Sequence, residues 1–334
     1  MRDLEVRQSG PRRTILFCCT LATLAIVPAP AVAQWGATVA QADSLLASGR
    51  VSTAESVYYA TSSARPRDAV ARAALGRYLA SRGALRIGVV LLEEARLFGG
   101  DSASIARSLA PIYGSLGDYR ALAVLPASPL SAAEQSRTRW LVTHAPVLEF
   151  PDSAARLPYK PIMDGSGIGT VSIAIGDRTV DAVVDASVSG VVVRGRQARR
   201  RSGFRVFGED SSGVVAVISE LHLGDVILSN VTARLETDSA RAPQGKGSGV
   251  FMGLDVLRRL APTFDAVADT ITLRRSGQVG QSTVGTRAPM LLDARGLRIL
   301  IDGKWESPAS RATGQLLSTR RWILDARRGT IIIQ

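Results

Sequence analysis

The segment Val183–Gly190, which reads VVDASVSG, joins an apolar run to a set of mostly small residues through one aspartate, Asp185. The β-branched residues of Thr179–Val184 favour a strand, and Val191–Val193 starts another apolar run directly after the segment. The residues between the two runs are typical of a tight loop. The segment therefore predicts a strand, a loop and a second strand, with a carboxylate at the start of the loop. From the residues alone, Asp185 is a catalytic acid, the remnant of one, or a turn aspartate.

The chain past Leu157 continues in the same β-rich pattern. Gly-Asp pairs at 176–177 and 224–225 indicate tight turns, and Leu254–Leu260 is the one segment that reads as a helix. This pattern predicts an all-β domain over residues 157–275. Its apolar or alternating runs are Gly169–Ile175, Thr179–Val184, Val191–Val193, Val214–Ile218, Glu220–Leu223 and Val231–Leu235.

The order of these runs resembles the retropepsin-like aspartic protease family, in the branch of single-domain bacterial proteins. In that family two apolar residues precede Asp-Thr-Gly-Ala-Ser, and a second block of two apolar residues and a glycine lies beneath the active-site loop. The resemblance aligns Asp185 with the catalytic aspartate and Ser189 with the final serine of the motif. It also aligns Phe251, Met252 and Gly253 with the supporting block. It implies an acid-protease barrel as the fold.

The chain departs from the family motif at the positions of its threonine and its glycine: Ala186 replaces the threonine and Ser187 replaces the glycine. The family's mechanism needs two carboxylates that share one proton, and a single domain supplies only one, so the site forms at a twofold interface. Ala186 cannot make the hydrogen bond by which the threonine locks that interface, and Ser187 adds a Cβ and a hydroxyl beside the carboxylate. We therefore expect weak or absent proteolysis. An active aspartic endopeptidase is the alternative.

The N-terminus has the pattern of a secretory signal peptide over residues 1–33. Two arginines precede the short apolar run Ile15–Val27, and an A-x-A site ends at Ala33. Cleavage after Ala33 predicts an exported protein, periplasmic or secreted, without a stable membrane anchor. Cys18 and Cys19 both lie in this segment, so the mature chain is expected to contain no cysteine and no disulfide.

Residues 34–126 carry a helical pattern with glycines at Gly49, Gly83 and Gly117, which are 34 residues apart. This period resembles the tetratricopeptide repeat, although the consensus tryptophan is absent. Two interpretations stay open: a concave surface that binds a peptide or protein, or a helical cap packed on the next domain. Residues 127–156 are rich in proline, alanine and serine and are predicted to be a linker.

The C-terminal residues 276–334 are predicted to be a β-rich partial repeat. Leu257–Leu273 and Leu317–Ile333 align with a shift of 60 residues, which matches Asp265 with Asp325. We expect a second closing hairpin that could complete the sheet in place of a dimer partner. Asp293 is followed by Ala-Arg-Gly and is not expected to be a second catalytic aspartate. The whole chain is thus predicted to be a multidomain α + β protein, with a TPR-like α-helical solenoid before a retropepsin-like all-β barrel.

Other classes of function have little support in the residues. The net charge is +12, but the basic run Arg194–Arg201 has no accompanying nucleic-acid motif, so no nucleic-acid partner is predicted. His144 and His222 are isolated, which argues against a metal site or a Ser-His-Asp triad, and no cofactor is expected. The expected partner is a peptide or protein, and the resemblance also allows a homodimer through the protease-like domain. A TPR scaffold with a purely structural β-domain is the further alternative.

Overall fold

The computed structural model describes residues 38–151, 154–162, 167–185, 187–236, 249–258, 260–275, 284–293, 296–308 and 310–334. The predicted signal peptide and Ala186 lie outside these ranges. All described residues belong to one compact unit. Within them, no helix combines the length and the apolar character needed to cross a membrane.

The first half of the described chain is helical, and the 34-residue spacing of glycines has a direct structural cause. The turns that follow helices Val39–Ala47, Ala69–Ser81 and Ser102–Leu116 contain Gly49, Gly83 and Gly117, whose φ angles of +77°, +90° and +73° favour glycine. Successive helices therefore reverse direction at equal intervals and pack as hairpins. The assignment of these hairpins to a tetratricopeptide solenoid stays a prediction. The helices are α1 Val39–Ala47, α2 Val51–Ala64, α3 Ala69–Ser81, α4 Leu85–Leu97, α5 Ser102–Leu116, α6 Tyr119–Ala123 and α7 Ala132–Thr143.

The segment 127–156 was expected to be a linker, but much of it is regular structure. It contains α7 and a short strand, β1 (Val147–Glu149). Helix α7 begins at a capping box, in which Ser131 and Glu134 each bond the other's backbone N–H. The prolines around it dominate the composition, whereas the Ser-x-x-Glu pair decides the local structure.

In the described residues of the second half, the chain forms one extended sheet with two short α-helices, α8 (Leu254–Leu257) and α9 (Arg311–Ser318), and one 3-10 helix, Gln197–Arg199. One strand, β7 (Gly213–Leu223), covers the two runs that were expected to be separate at 214–218 and 220–223, because its polar residues Ser219 and Glu220 are simply its exposed positions. The remaining strands are β2 Ala155–Pro161, β3 Gly169–Ile175, β4 Arg178–Asp185, β5 Val191–Arg194, β6 Phe204–Asp210, β8 Val226–Glu236, β9 Val250–Gly253, β10 Thr263–Asp265, β11 Thr270–Leu273, β12 Thr286–Asp293, β13 Gly296–Ile301, β14 Lys304–Glu306, β15 Arg321–Asp325 and β16 Thr330–Ile333.

The strand order is β14-β13-β12-β16-β15-β10-β11-β2-β3-β4-β9-β5-β8-β7-β6, and β1 pairs with β8. A further pairing of β3 with β7 closes β3, β4, β9, β5, β8 and β7 into a barrel. Neighbouring strands are antiparallel except for β4 with β9 and β5 with β8, which are parallel. The structure is therefore a mixed α and β protein with a β-barrel region.

Aromatic side chains fill the sheet core where β2, β10 and β15 meet. Phe264 and Trp322 stack with ring centroids 4.0 Å apart, and Tyr159 meets Phe264 edge-on at 5.4 Å. All three are at most 1% exposed. Burial of this much apolar surface makes the cluster a principal source of stability at this end of the sheet.

Helix α7 is joined to the barrel by a network of charges. Arg234 of β8 donates to Asp210 at 2.6 Å and to Glu134 at 2.8 Å, and Ser131 donates to Asp210 at 2.9 Å. Burial by itself would raise the pKa of Asp210, but hydrogen bonds from the Ser212 N–H, Arg234 and Ser131 lower it below its ordinary value. The ends of β6 and β8 are thereby fixed to the helices.

Candidate functional site

The parallel pairing of β4 with β9 brings the two sequence blocks together. Asp185, the last residue of β4, lies opposite Gly253, and Val184 lies opposite Met252. Met252 is fully buried, whereas the ring of the partly buried Phe251 lies under the guanidinium of Arg194 at 4.5 Å. The loop from Ser187 to Gly190 therefore starts directly above β9 and leads into β5.

The Asp185 carboxylate is held by its own loop. Its Oδ1 accepts a hydrogen bond from the Ser187 N–H at 2.8 Å and another from the Ser187 hydroxyl at 2.7 Å. Asp185 is partly buried and Ser187 is exposed. Among the described residues, no other carboxyl group is a hydrogen-bond partner of Asp185. The site, as far as the structure describes it, thus presents one carboxylate in a local Asx-type turn.

A second aspartate, Asp255, ties down the far end of the loop. Its Oδ2 accepts from the Ser189 hydroxyl at 2.7 Å, and both of its oxygens lie 2.9 Å from the Gly190 nitrogen. Oδ1 also accepts from the N–H of Val256 at 3.0 Å. The charge-assisted bonds fix the loop to the first turn of α8, where an acidic side chain is favoured.

Sequence reasoning missed Asp255, although a signal for it was present. Asp255 follows the Phe-Met-Gly block by two residues and stands in the first turn of the expected helix, where a carboxylate finds free N–H groups. What the sequence did not show is that this turn faces the 187–190 loop, because that contact joins residues more than sixty positions apart.

Two glycines are required by the close approach of these segments. A Cβ on Gly253 would collide with the Val188 carbonyl oxygen and with Asp255 Oδ1. Gly190 has φ +67°, and a Cβ there would meet the carbonyl of Thr232. The Gly253 N–H donates to the Gly190 carbonyl at 2.8 Å, so the two glycines also bond each other.

One positive group, the Arg258 guanidinium, lies close to Asp255, which holds the far end of the 187–190 loop. Burial lowers the pKa of the Arg258 guanidinium, and the charge of Asp255 opposes this shift. Arg258 ends helix α8, three residues beyond Asp255. The charge of Arg258 attracts the carboxylate of Asp255.

The histidines have structural surroundings. The His144 ring stacks on Trp140 with centroids 4.2 Å apart, and His222 Nε2 lies 3.5 Å from the Glu220 carboxylate. His222 also lines an open groove of about 410 Å³ whose other walls include Leu157 and Thr179. In the part of the chain that the structure describes, no three Cys, His, Asp or Glu side chains group in a way that could hold a metal ion.

Comparison with solved structures finds 27 chains that match this one. No profile of a known protein family and no curated protein matches the chain. One solved structure that matches is the crystal structure of a retropepsin-like aspartic protease from Rickettsia conorii, at 13% identity and a TM-score of 0.27. The match covers 38% of this chain and 93% of that one. A likeness this low carries no functional argument. Any inference about function therefore depends on the strand order and the site of this chain.

Proposed function

We propose that this chain is an exported protein with an aspartic-protease-like barrel that binds a peptide or protein segment and cleaves peptide bonds weakly or not at all. The observation that carries the proposal is the environment of Asp185. The carboxylate accepts two hydrogen bonds from Ser187, and no described carboxyl group is bonded to it.

The described chain supplies one of the two carboxyl groups that proton sharing needs. Aspartic proteolysis holds a water molecule between two carboxyl groups that share one proton, so that one acts as base and the other as acid. The Ser187 hydroxyl instead donates to the oxygen of Asp185 that already accepts the Ser187 N–H. A lone carboxylate in this arrangement can accept hydrogen bonds from a bound chain, which is a binding role.

The helices supply a surface that supports partner binding. Ile87, Val90 and Leu97 lie on one face of α4 and are 55%, 56% and 76% exposed. Large apolar side chains that share an exposed face are typical of protein-binding surfaces. The α4 face therefore supports a peptide or protein partner, in line with one of the two interpretations of the repeats, a surface that binds a peptide or protein.

Cleavage is tested with mature protein, residues 34–334, and a diverse peptide library between about pH 3.5 and pH 7, where aspartic dyads titrate. Asp185→Asn is the matched variant, because it keeps the shape of the side chain and removes its charge. We expect no cleavage that depends on Asp185. Pepstatin-sensitive cleavage that Asp185→Asn abolishes would show instead an active aspartic endopeptidase.

Binding is tested by capture of peptides from the same library, read by mass spectrometry. We expect Asp185→Asn to weaken capture, because the amide lacks the charge with which the carboxylate accepts hydrogen bonds from a bound chain. We expect Val90→Asp to weaken capture as well, because it places a charge on the exposed apolar face of α4. Arg86→Ala, at an exposed neighbouring position of α4, is the control for a change in surface charge. Unchanged capture by Val90→Asp together with loss in Asp185→Asn would place binding at the barrel alone. No capture by the unaltered protein would contradict the proposed function.

A further inference from the structure

The closing hairpin β10–β11 pairs with the C-terminal hairpin β15–β16 in an unusual register. Across the β10–β15 pair, Thr263 lies opposite Ile323 and Asp265 lies opposite Arg321. The two hairpins are equivalent in sequence with a shift of 60 residues, which makes Ile323 the equivalent of Thr263. Thr263 is therefore paired with its own equivalent. A strand pairs with its equivalent in this way where a twofold axis passes between them.

The same relation holds further from the axis. Strand β2 flanks β11 as β12 flanks β16, and Pro158 lies opposite Thr270 just as Pro289 lies opposite Thr330. Each hairpin also turns at a residue of positive φ, Asp269 in the first and Gly329 in the second, again 60 positions apart. Two prolines at matching positions are informative, because proline is rare inside a sheet.

The outer strands complete the correspondence. β3 pairs with β2 and β4 pairs with β3, as β13 pairs with β12 and β14 with β13. A short helix precedes each closing hairpin, α8 before β10 and α9 before β15. The chain order β2-β3-β4-α8-β10-β11 is thus repeated as β12-β13-β14-α9-β15-β16.

The two repeated units of this chain, which we call the first and the second copy, differ in the segment between the third strand and the helix. In the first copy this interval is residues 186–253, which includes the loop after Asp185 and strands β5 to β9. In the second copy it is only residues 307–310. A counterpart of the VVDASVSG loop therefore has no place in the second copy.

We infer that residues 286–334 are a second, shortened lobe that occupies the surface on which another copy of the chain would pair. The protein is then a monomer with a single aspartate in its site. The inference goes beyond the proposed function and does not require a bound peptide, since it concerns the assembly and explains why Asp185 has no twofold-related mate.

The contacts at the axis leave no open edge on β10. The Leu324 N–H donates to the Pro262 carbonyl at 3.1 Å, and the Ala266 N–H donates to the Arg320 carbonyl at 3.3 Å. Phe264 and Trp322, which face each other across the axis, are both fully buried. A second copy could pair with β10 only by displacing β15 and opening this core.

The geometry permits a direct test by disulfide formation. The Leu324 N–H donates to the carbonyl of Pro262 directly opposite it, so 263 and 323 form the adjacent non-hydrogen-bonded pair, with Cα atoms about 4.5 Å apart. This separation suits a disulfide. The mature chain, residues 34–334, has no native cysteine, so introduced thiols are the only ones. In a homodimer about this axis, the two copies of Thr263 would face each other.

The experiment compares Thr263→Cys with the double variant Thr263→Cys/Ile323→Cys after mild oxidation. We expect the double variant to form a disulfide within one chain and Thr263→Cys alone to give no covalent dimer. Light scattering on the unaltered mature protein should give the mass of one chain, a measurement that does not depend on how the variants fold. A mass of two chains, a covalent dimer of Thr263→Cys, or a folded double variant that stays reduced would each overturn the inference. Failure of peptide capture in a protein shown to be monomeric would count against the proposed function only.

Discussion

Removal of the Arg82 side chain should destabilise the helical and β regions together. Arg82 follows α3, and its Nη1 donates to the carbonyls of Met290 at 2.7 Å and Gly329 at 2.6 Å. The backbones meet closely here, because a Cβ on Gly329 would collide with the Arg82 carbonyl and one on Gly83 with the Ala326 carbonyl. Arg82 is partly exposed, so water can replace part of the lost bonding in Arg82→Ala.

The size of the effect follows from the two lost bonds. A hydrogen bond to a charged group contributes about 1.5–3 kcal/mol. Both bonds of Arg82 start from one nitrogen of a partly exposed side chain, so we expect a total loss of about 2–4 kcal/mol in the free energy of unfolding. Arg82→Lys should recover part of this loss, because the ammonium group can still donate.

The assay is urea unfolding followed by two signals. Far-UV circular dichroism reports mainly the helices. Tryptophan fluorescence reports the buried Trp322 of the β-core when it is measured in a background where Trp35, Trp140 and Trp305 are replaced by phenylalanine. For Arg82→Ala we expect both midpoints to fall together, since the side chain bonds both regions. Arg86→Ala, at an exposed position of α4, is the matched control and should change the free energy by less than about 0.5 kcal/mol. A loss below about 0.5 kcal/mol in Arg82→Ala, or a fall confined to one signal, would refute the reasoning.

Three further predictions concern the site, the core and the effect of pH. Asp255→Asn should lower the free energy of unfolding by about 1–3 kcal/mol and speed hydrogen exchange of the Gly190 amide, because a charged acceptor is lost. Equal exchange rates in the two proteins would show that the bonds of Asp255 do not hold the loop. Trp322→Ala should cost about 3–5 kcal/mol by thermal unfolding, whereas Phe98→Ala, at a 40% exposed position, should cost far less. Since its folded pKa is lowered, Asp210 stabilises the protein at neutral pH and loses this effect as the pH falls below about 4. Asp210→Asn should therefore lower the melting temperature at pH 7 and flatten its decline between about pH 5 and pH 2, and an unchanged pH profile would exclude this role.

The β-strands around the site were predictable because their patterns are local. Thr179–Val184 and Val191–Val193 are β-branched and lie within β4 and β5, and the supporting block lies in β9. The helical spacing was predictable for a similar reason, since Gly49 and Gly83 each end a helix in the left-handed conformation. The linker prediction for 127–156 was wrong in detail because composition outweighed the capping box of α7.

The sequence by itself determined the elements of this protein: which residues form strands and helices, where the chain turns, and that Asp185 lies between two strands. Only the tertiary structure decided the partners of these elements. It placed Asp255 against the loop and Ser187 on Asp185, and it paired Thr263 with Ile323. The physical reason is that local patterns follow from backbone conformation and side-chain alternation, whereas contacts between distant residues depend on how whole strands pair and pack.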